Sequence, residues 1–194
     1  MILNHLQIAE LVQRGMVSGH QDDLLNGTSL DVRLANVFKQ EVPGKDIKED
    51  EYAMLNLNQR EPMNVERVEL AYPWDAPEGE AEPLLLYPGQ FVLAATMEHF
   101  TLPTSVSAEF RLKSSAGRMG LSHALAVWCD PGWHGHLTLE LHNISQHHVV
   151  ALRPGDRIGQ MVFHMHEAVQ PRMSYSQRGH YNGDVEPEAA RASK

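Results

Sequence analysis

The chain has 194 residues, 42% of them hydrophobic, with 25 Asp and Glu against 16 Lys and Arg and a formal charge of -9 at pH 7. That length fits one domain with a substantial core, and the negative balance argues against a general nucleic-acid binder while leaving room for a local cationic pocket. The single cysteine, Cys129, excludes an internal disulfide and any multi-cysteine zinc site, as suits a reducing compartment. No apolar run approaches the ~20 residues of a membrane span, and the opening MILNHLQIAELVQRG has no basic start followed by an apolar core. A cytoplasmic protein with no membrane partner is expected.

In chain order, Ile2, Leu6, Ile8, Leu11, Val12 and Met16 recur at roughly helical spacing, which predicts one short helix between Ile2 and Val17. Residues 24–38 open on an Asn-Gly turn and then alternate Leu30, Val32 and Leu34 with Asp31, Arg33 and Ala35, the period of a half-buried strand. Asp31 and Arg33 share a strand face there, as a surface ion pair or a buried structural one. Residues 39–83, broken by Pro43, Pro62, Pro73, Pro77 and Pro83, read as extended strands and loops without recognisable chemistry. From Leu84 a strand, a Pro88-Gly89 turn and a second strand follow, and the pattern recurs around Pro154-Gly155. Short strands at turn-spaced intervals with one credible helix predict an all-β barrel or jelly roll. The tail, 175–194, is polar and glycine-containing, and reads either as a disordered end or as a flap that orders over a ligand. Twelve histidines are present, among them His134, His136, His147, His148, His164 and His166, but no third ligand falls at diagnostic spacing, so no dedicated metal site is expected.

Most of the polar chemistry lies between Phe110 and Asn143. Lys113, Ser114, Ser115, Gly117 and Arg118 supply two hydroxyls, two cations and permissive backbone, a set able to hold a polyphosphate and equally able to form an ordinary Ser-rich turn. Leu137, Leu139 and Leu141 alternate with Thr138, Glu140 and His142, so Glu140 is expected on the strand face opposite the leucines. Facing solvent it is unremarkable; lining a pocket, it has its pKa raised by desolvation toward the range of a general base. Asp130-Pro131-Gly132-Trp133 makes the corner before that strand, where Asp130 either starts a turn or acts on water as a second carboxylate.

KSSAGRMGL, AVWCDPGWHGHLTLELHN and LRPGDRIGQM resemble the consecutive motifs of the dCTP deaminase branch of the dUTPase superfamily, and NGTSLDVRLAN resembles that branch's early strand. The resemblance covers most of residues 24–38 and 84–165. It implies an all-β distorted jelly roll of the dUTPase-like type with a short N-terminal helix, a single β domain over 1–174 and a flexible C-terminal tail over 175–194 serving as an active-site flap. It further implies a homotrimer with sites between subunits, magnesium bound with the nucleotide triphosphate, and no zinc. By this resemblance Glu140 is the general base that activates water against cytosine C4, and Ser114 positions that water or the leaving amine. Ala126 offers backbone groups to the base edge; Lys113, Ser115 and Arg118 hold the triphosphate, with Arg118 reaching a neighbouring subunit's site or its Glu140. Tyr181 matches a tyrosine of the closing tail, and Asp130 matches the aspartate that dUTPases use to activate water. Trp128 stands where many monofunctional deaminases carry arginine, as in members that also hydrolyse the product to dUMP. The expected activity is zinc-independent deamination of dCTP to dUTP and ammonia. The alternatives are a bifunctional enzyme forming dUMP and diphosphate, a dUTPase, and a non-enzymatic nucleotide sensor.

Overall fold

Asn4 accepts the Gln7 backbone N–H at 3.1 Å while the Gln7 side chain accepts the Asn4 N–H at 3.1 Å, a capping box that starts α1 (His5–Gln13). The computed structural model describes residues 1–43, 52–76, 82–126 and 128–191. α1 is shorter than the predicted span because residues 1–3 run along a strand instead: Leu3 donates to the Phe163 carbonyl at 3.0 Å and Ile2 bridges His164. Next come β1 (Val17–Ser18), β2 (Leu30–Arg33), β3 (Val37–Glu41), β4 (Val65–Glu69), β5 (Leu84–Leu86), β6 (Phe91–Thr101) and β7 (Val106–Leu112). α2 (Ser114–Arg118), β8 (Leu121–His123), β9 (Trp128–Cys129), β10 (His134–Asn143), β11 (Val150–Leu152), β12 (Arg157–Met165) and α3 (Tyr175–Arg178) complete the order.

One sheet runs β4-β3-β6-β10-β8 with β1 also on β6, a second runs β2-β12-β7-β9, and β5 pairs β11 separately. All the pairings between these strands are antiparallel. Phe38, Phe100, Phe110 and Phe163 are fully buried and draw on both larger sheets, so the core forms between them. This is the all-β distorted jelly roll that the sequence predicts. Both Pro-Gly turns are in place, with Gly89 and Gly155 at φ 80° and 89°. Among the described residues no helix is long and apolar enough to cross a membrane.

One reading changes. Asp31 and Arg33 are both buried, but they do not pair with each other: Asp31 meets Lys113 Nζ at 2.6 Å and the Asn26 amide at 2.8 Å, while Arg33 meets Glu98. Four consecutive buried residues in β2 mean that both strand faces are covered, so the face carrying the charges is internal and each finds a partner from another element. Residues 39–83 hold a strand, β4, and loops, as read; the parts of that reading at 44–51 and 77–81 lie outside the described residues.

Candidate active site

β10 is fixed by Leu139 and Leu141, both fully buried; burying each contributes about 1.5–3 kcal/mol. Their alternation places Glu140 on the other face, opposite Leu93 of β6. Further along, the ladder shifts register between His136 and Thr138. Thr96 holds this bulge: its hydroxyl accepts the Leu137 N–H at 3.0 Å and donates to the Glu98 carbonyl at 2.8 Å, and its carbonyl lies 2.9 Å from His136 Nδ1. A bulge re-aims side chains, and Leu137, expected on the core face with the other leucines, both packs on the core and lines a cavity beside Thr138 and Glu140.

That cavity measures about 580 Å³, a size suited to a small organic ligand. Phe91, Leu93 and Leu137 form its sheet wall, Cys129, Asp130 and Trp133 its corner, and Leu55, Leu57, Arg60 and Met63 an outer wall. Tyr181, Asp184 and Glu188 close it from the tail. Glu140 Oε2 is buried and has no hydrogen-bond partner among the described residues. Burial, only partly opposed by a backbone hydrogen bond, pushes the Glu140 carboxyl above the usual carboxylate range. An unanswered buried carboxylate is costly to structure, and this one points to a ligand or water as its missing partner.

The corner behaves as its sequence predicts: Gly132 has φ 81° after Pro131, and the Trp133 N–H closes the turn on the Asp130 carbonyl at 3.1 Å. Asp130 reaches the cavity, and its Oδ1 accepts the Trp128 indole N–H at 3.2 Å. Ala126 lines the same cavity just after Leu125, which is held at φ 60°. The Cys129 thiol is pushed up to about 12, by burial first and then by the nearby Asp130, which leaves it inert as a nucleophile. Burial and the neighbouring His136 and His134 lower the His99 pKa, so that ring is neutral near pH 7.

Glu140, Ala126, Asp130 and Tyr181 therefore meet in one cavity. Ser114, Ser115 and Arg118 do not join them: they are exposed on α2 and line neither that cavity nor the one beside it. Lys113 is held by Asp31. The sequence reading missed the 55–63 wall altogether, although MLNLNQREPM sets apolar residues beside an arginine in an otherwise charged stretch.

The tail lies along β10 of its own chain. Trp133 Nε1 donates to the Tyr181 carbonyl at 2.8 Å, Gly183 N–H to the His134 carbonyl at 2.8 Å, and His136 N–H to the Asp184 carbonyl at 2.9 Å. Gly135 permits this approach, since a Cβ there would come within 3.2 Å of the Asp184 backbone. Arg67 holds Glu186 through two bonds of 3.0 and 2.7 Å, Lys39 meets Glu188 at 3.3 Å, and Arg191 pairs with Asp184 while its guanidinium lies 5.1 Å from the Tyr181 ring centroid. Charge pairs and backbone bonds do what the tail's small apolar surface cannot.

Fold and site together define a jelly-roll protein with a buried, unpartnered carboxylate in a cavity walled by a sheet face and by its own tail. Residues 2–166 match the dCTP deaminase-like family. A curated relative from Thermobifida fusca, "dCTP deaminase, dUMP-forming", is 36% identical over 164 residues, covering 83% of this chain and 76% of the relative. One of the same description from Kocuria rhizophila is 34% identical over 197 residues, covering 99% and 95%. The solved 2'-deoxycytidine 5'-triphosphate deaminase from Agrobacterium tumefaciens superposes with a TM-score of 0.62 at 20% identity, over 87% of this chain and 49% of that one, about half its length. The chain belongs to the dCTP deaminase-like family, a family of enzymes.

Proposed function

We propose that the protein deaminates dCTP hydrolytically, with Glu140 as the proton carrier. The observation that carries this reading is the buried, unpartnered Glu140 Oε2 in a cavity of about 580 Å³, large enough to admit a nucleoside. Cytosine C4 must be attacked by water, and a carboxylate stripped of solvent with a raised pKa is a stronger base than one in water. Glu140 takes a proton from water as the C4–O bond forms, and the C4–N3 π pair moves onto N3, which accepts that proton. Glu140 then takes the second proton from the new hydroxyl and gives it to the exocyclic amine; the C4–N4 bond breaks, ammonia leaves, and a C4 carbonyl remains. Backbone groups at Ala126 serve the base edge. Magnesium would come with the substrate, held by its phosphate oxygens.

Ser114, Ser115 and Arg118 are exposed on α2, so in this reading they act on a neighbouring subunit's nucleotide in a homotrimer, with Lys113 anchoring that helix to β2 through Asp31. Sedimentation then finds a trimer, and a stable, fully active monomer sinks the arrangement. A second reading extends the first: the product is hydrolysed further to dUMP and diphosphate. It is favoured by Asp130, which lines the Glu140 cavity, and by relatives named dUMP-forming. Incubation with dCTP and magnesium, resolved into dUTP, dUMP, ammonia and diphosphate, tests both. Absence of ammonia overturns the deaminase reading, and ammonia with dUTP alone overturns the extension.

A further inference from the structure

A base attacked at C4 has its orientation constrained, because C4 carries the N3–N4 edge on one side and C5 on the other. The sheet order β6-β10-β8 gives Glu140 two unlike flanks. On the β8 side the Ala124 N–H donates to the Glu140 carbonyl at 3.1 Å, and Ala126, two residues on, lines the cavity. On the β6 side Glu140 is opposite Leu93 and His142 opposite Phe91, while the core residue Leu141 is opposite Val92. Residues directly opposite share a sheet face, so Leu93 and Phe91 stand on the face of Glu140, and both line the cavity. Backbone groups suit the N3–N4 edge, which both accepts and donates. The C5–C6 edge does neither, and it falls on the hydrocarbon flank.

Leu55, Leu57 and Met63 add further hydrocarbon to the lining. Leu55 and Leu57 are 50% and 89% exposed, so a ligand in the cavity finds apolar surface still uncovered. A tight loop presents them: Asn56 N–H donates to Glu61 Oε2 at 2.9 Å, Asn58 N–H to Asn56 Oδ1 at 3.0 Å, and Arg60 N–H to the Leu57 carbonyl at 3.2 Å. It holds Arg60 at φ 50°, backbone that persists only where the surroundings impose it. Two polar members of the lining are already engaged: the Thr138 hydroxyl accepts the Glu188 N–H at 3.1 Å, and the Glu188 carboxylate meets Lys39 at 3.3 Å. We infer that the β6 flank is a subsite for an alkyl group on C5, so that 5-methylcytosine nucleotides are substrates in their own right. The inference rests on the deaminase reading of the Glu140 cavity. The reaction is the same: the water oxygen bonds C4, one water proton goes to N3, the C4–N4 bond breaks, and ammonia leaves with the other proton. A 5-methyluracil nucleotide remains.

The test gives the full chain dCTP, 5-methyl-dCTP and 5-hydroxymethyl-dCTP with magnesium, and follows ammonia release together with binding by calorimetry. 5-Methyl-dCTP yields ammonia and binds about four-fold more tightly than dCTP, the ratio that ~0.8 kcal/mol per buried CH₂ sets. 5-Hydroxymethyl-dCTP binds about ten-fold more weakly than the methyl compound, because its hydroxyl enters a hydrocarbon flank without a partner. The double variant Leu55→Ser, Met63→Ser, altered in the loop and not in the sheet, loses the preference for methyl while its thermal melt stays in place. No ammonia from 5-methyl-dCTP where dCTP gives it, methyl binding no tighter than dCTP, or hydroxymethyl binding as tight as methyl overturns the subsite and leaves the deaminase reading intact. A preference undiminished in the double variant overturns it as well. If no nucleotide yields ammonia, the deaminase reading falls by itself, and calorimetry still judges the flank: tighter binding of the methyl compound keeps the alkyl subsite, and equal or weaker binding sinks it.

Discussion

Two glutamates lie on the β6–β10 ladder, Glu98 opposite the bulge and Glu140 toward the other end. Glu98 is fully buried and fully answered: Arg33 gives it Nε at 2.8 Å and its own backbone N–H at 2.8 Å, while the Arg33 guanidinium also donates to the Gly19 carbonyl at 2.6 Å. Glu140 is withdrawn from water with one oxygen facing no partner among the described residues. The same side chain on neighbouring strands thus serves opposite ends. Where the protein supplies the counter-charge, the carboxylate locks β2 to the sheet; where it withholds one, the carboxylate is left without a partner, as the proposed reaction requires.

Removing the answered pair is the larger perturbation. Arg33→Ala leaves Glu98 buried and alone, and should cost about 3–5 kcal/mol in urea unfolding, the usual penalty for breaking a buried pair from one side. A loss under about 1 kcal/mol, the worth of an exposed pair, would show that water reaches Glu98 and that the two glutamates are not opposites. Glu140→Gln should do the reverse: turnover of dCTP drops by at least ~10²-fold, the low end for a positioned general base, while the chain stays folded and binds nucleotide. Near-normal turnover removes Glu140 from the mechanism.

The pH dependence sharpens the contrast. A carboxyl whose folded pKa is raised favours the protonated form in the folded state, so the stability it contributes is present below its unfolded pKa and lost as pH rises through the folded one. Glu140 therefore weighs on the fold above the ordinary carboxylate range. Glu140→Gln should raise the melting temperature relative to the unaltered chain more at pH 8 than at pH 4, by about 2–4 °C per kcal/mol relieved. A difference that is the same at both pH values refutes the raised carboxyl. Because the base must be ionised to take a proton from water, the acid limb of kcat/KM should also sit above the usual carboxylate range.

How much of this was readable beforehand follows from the range of the interactions. The face of Glu140 was legible because alternation along β10 is a property of the strand itself. The placement of Leu137 was not, because the bulge depends on Thr96 of another strand. Lys113 to Arg118 looked like the densest chemistry in the sequence, yet their helix stands outside the cavity; linear crowding does not say which way an element faces. The Arg60 loop was passed over for the opposite reason, since its contribution comes from turn geometry with no period to detect.

The smallest expected effect concerns the wall built from charge pairs. Arg67 on β4 holds tail Glu186 through Nε and Nη2, while its Nη1 meets Glu69 at 2.8 Å. The Arg67 hydrogen bond, with the charges of Arg67 and Lys39, holds the Glu186 carboxyl below the usual carboxylate range. Both partners are largely solvated, so the pair adds little to global stability; what it adds is position, because Glu188 two residues on lines the Glu140 cavity. Arg67→Ala should leave the melting temperature unchanged, raise KM for dCTP by less than about ten-fold, and speed tryptic cleavage at Arg178. Salt should reproduce the effect in the unaltered chain, since about 1 M ionic strength shortens the screening length to roughly 3 Å. If Arg67→Ala leaves KM and cleavage unchanged and salt does nothing, the tail is held by its backbone bonds to His134 and His136 alone. The next substitution is then Gly135→Ala, whose added methyl meets the Asp184 backbone.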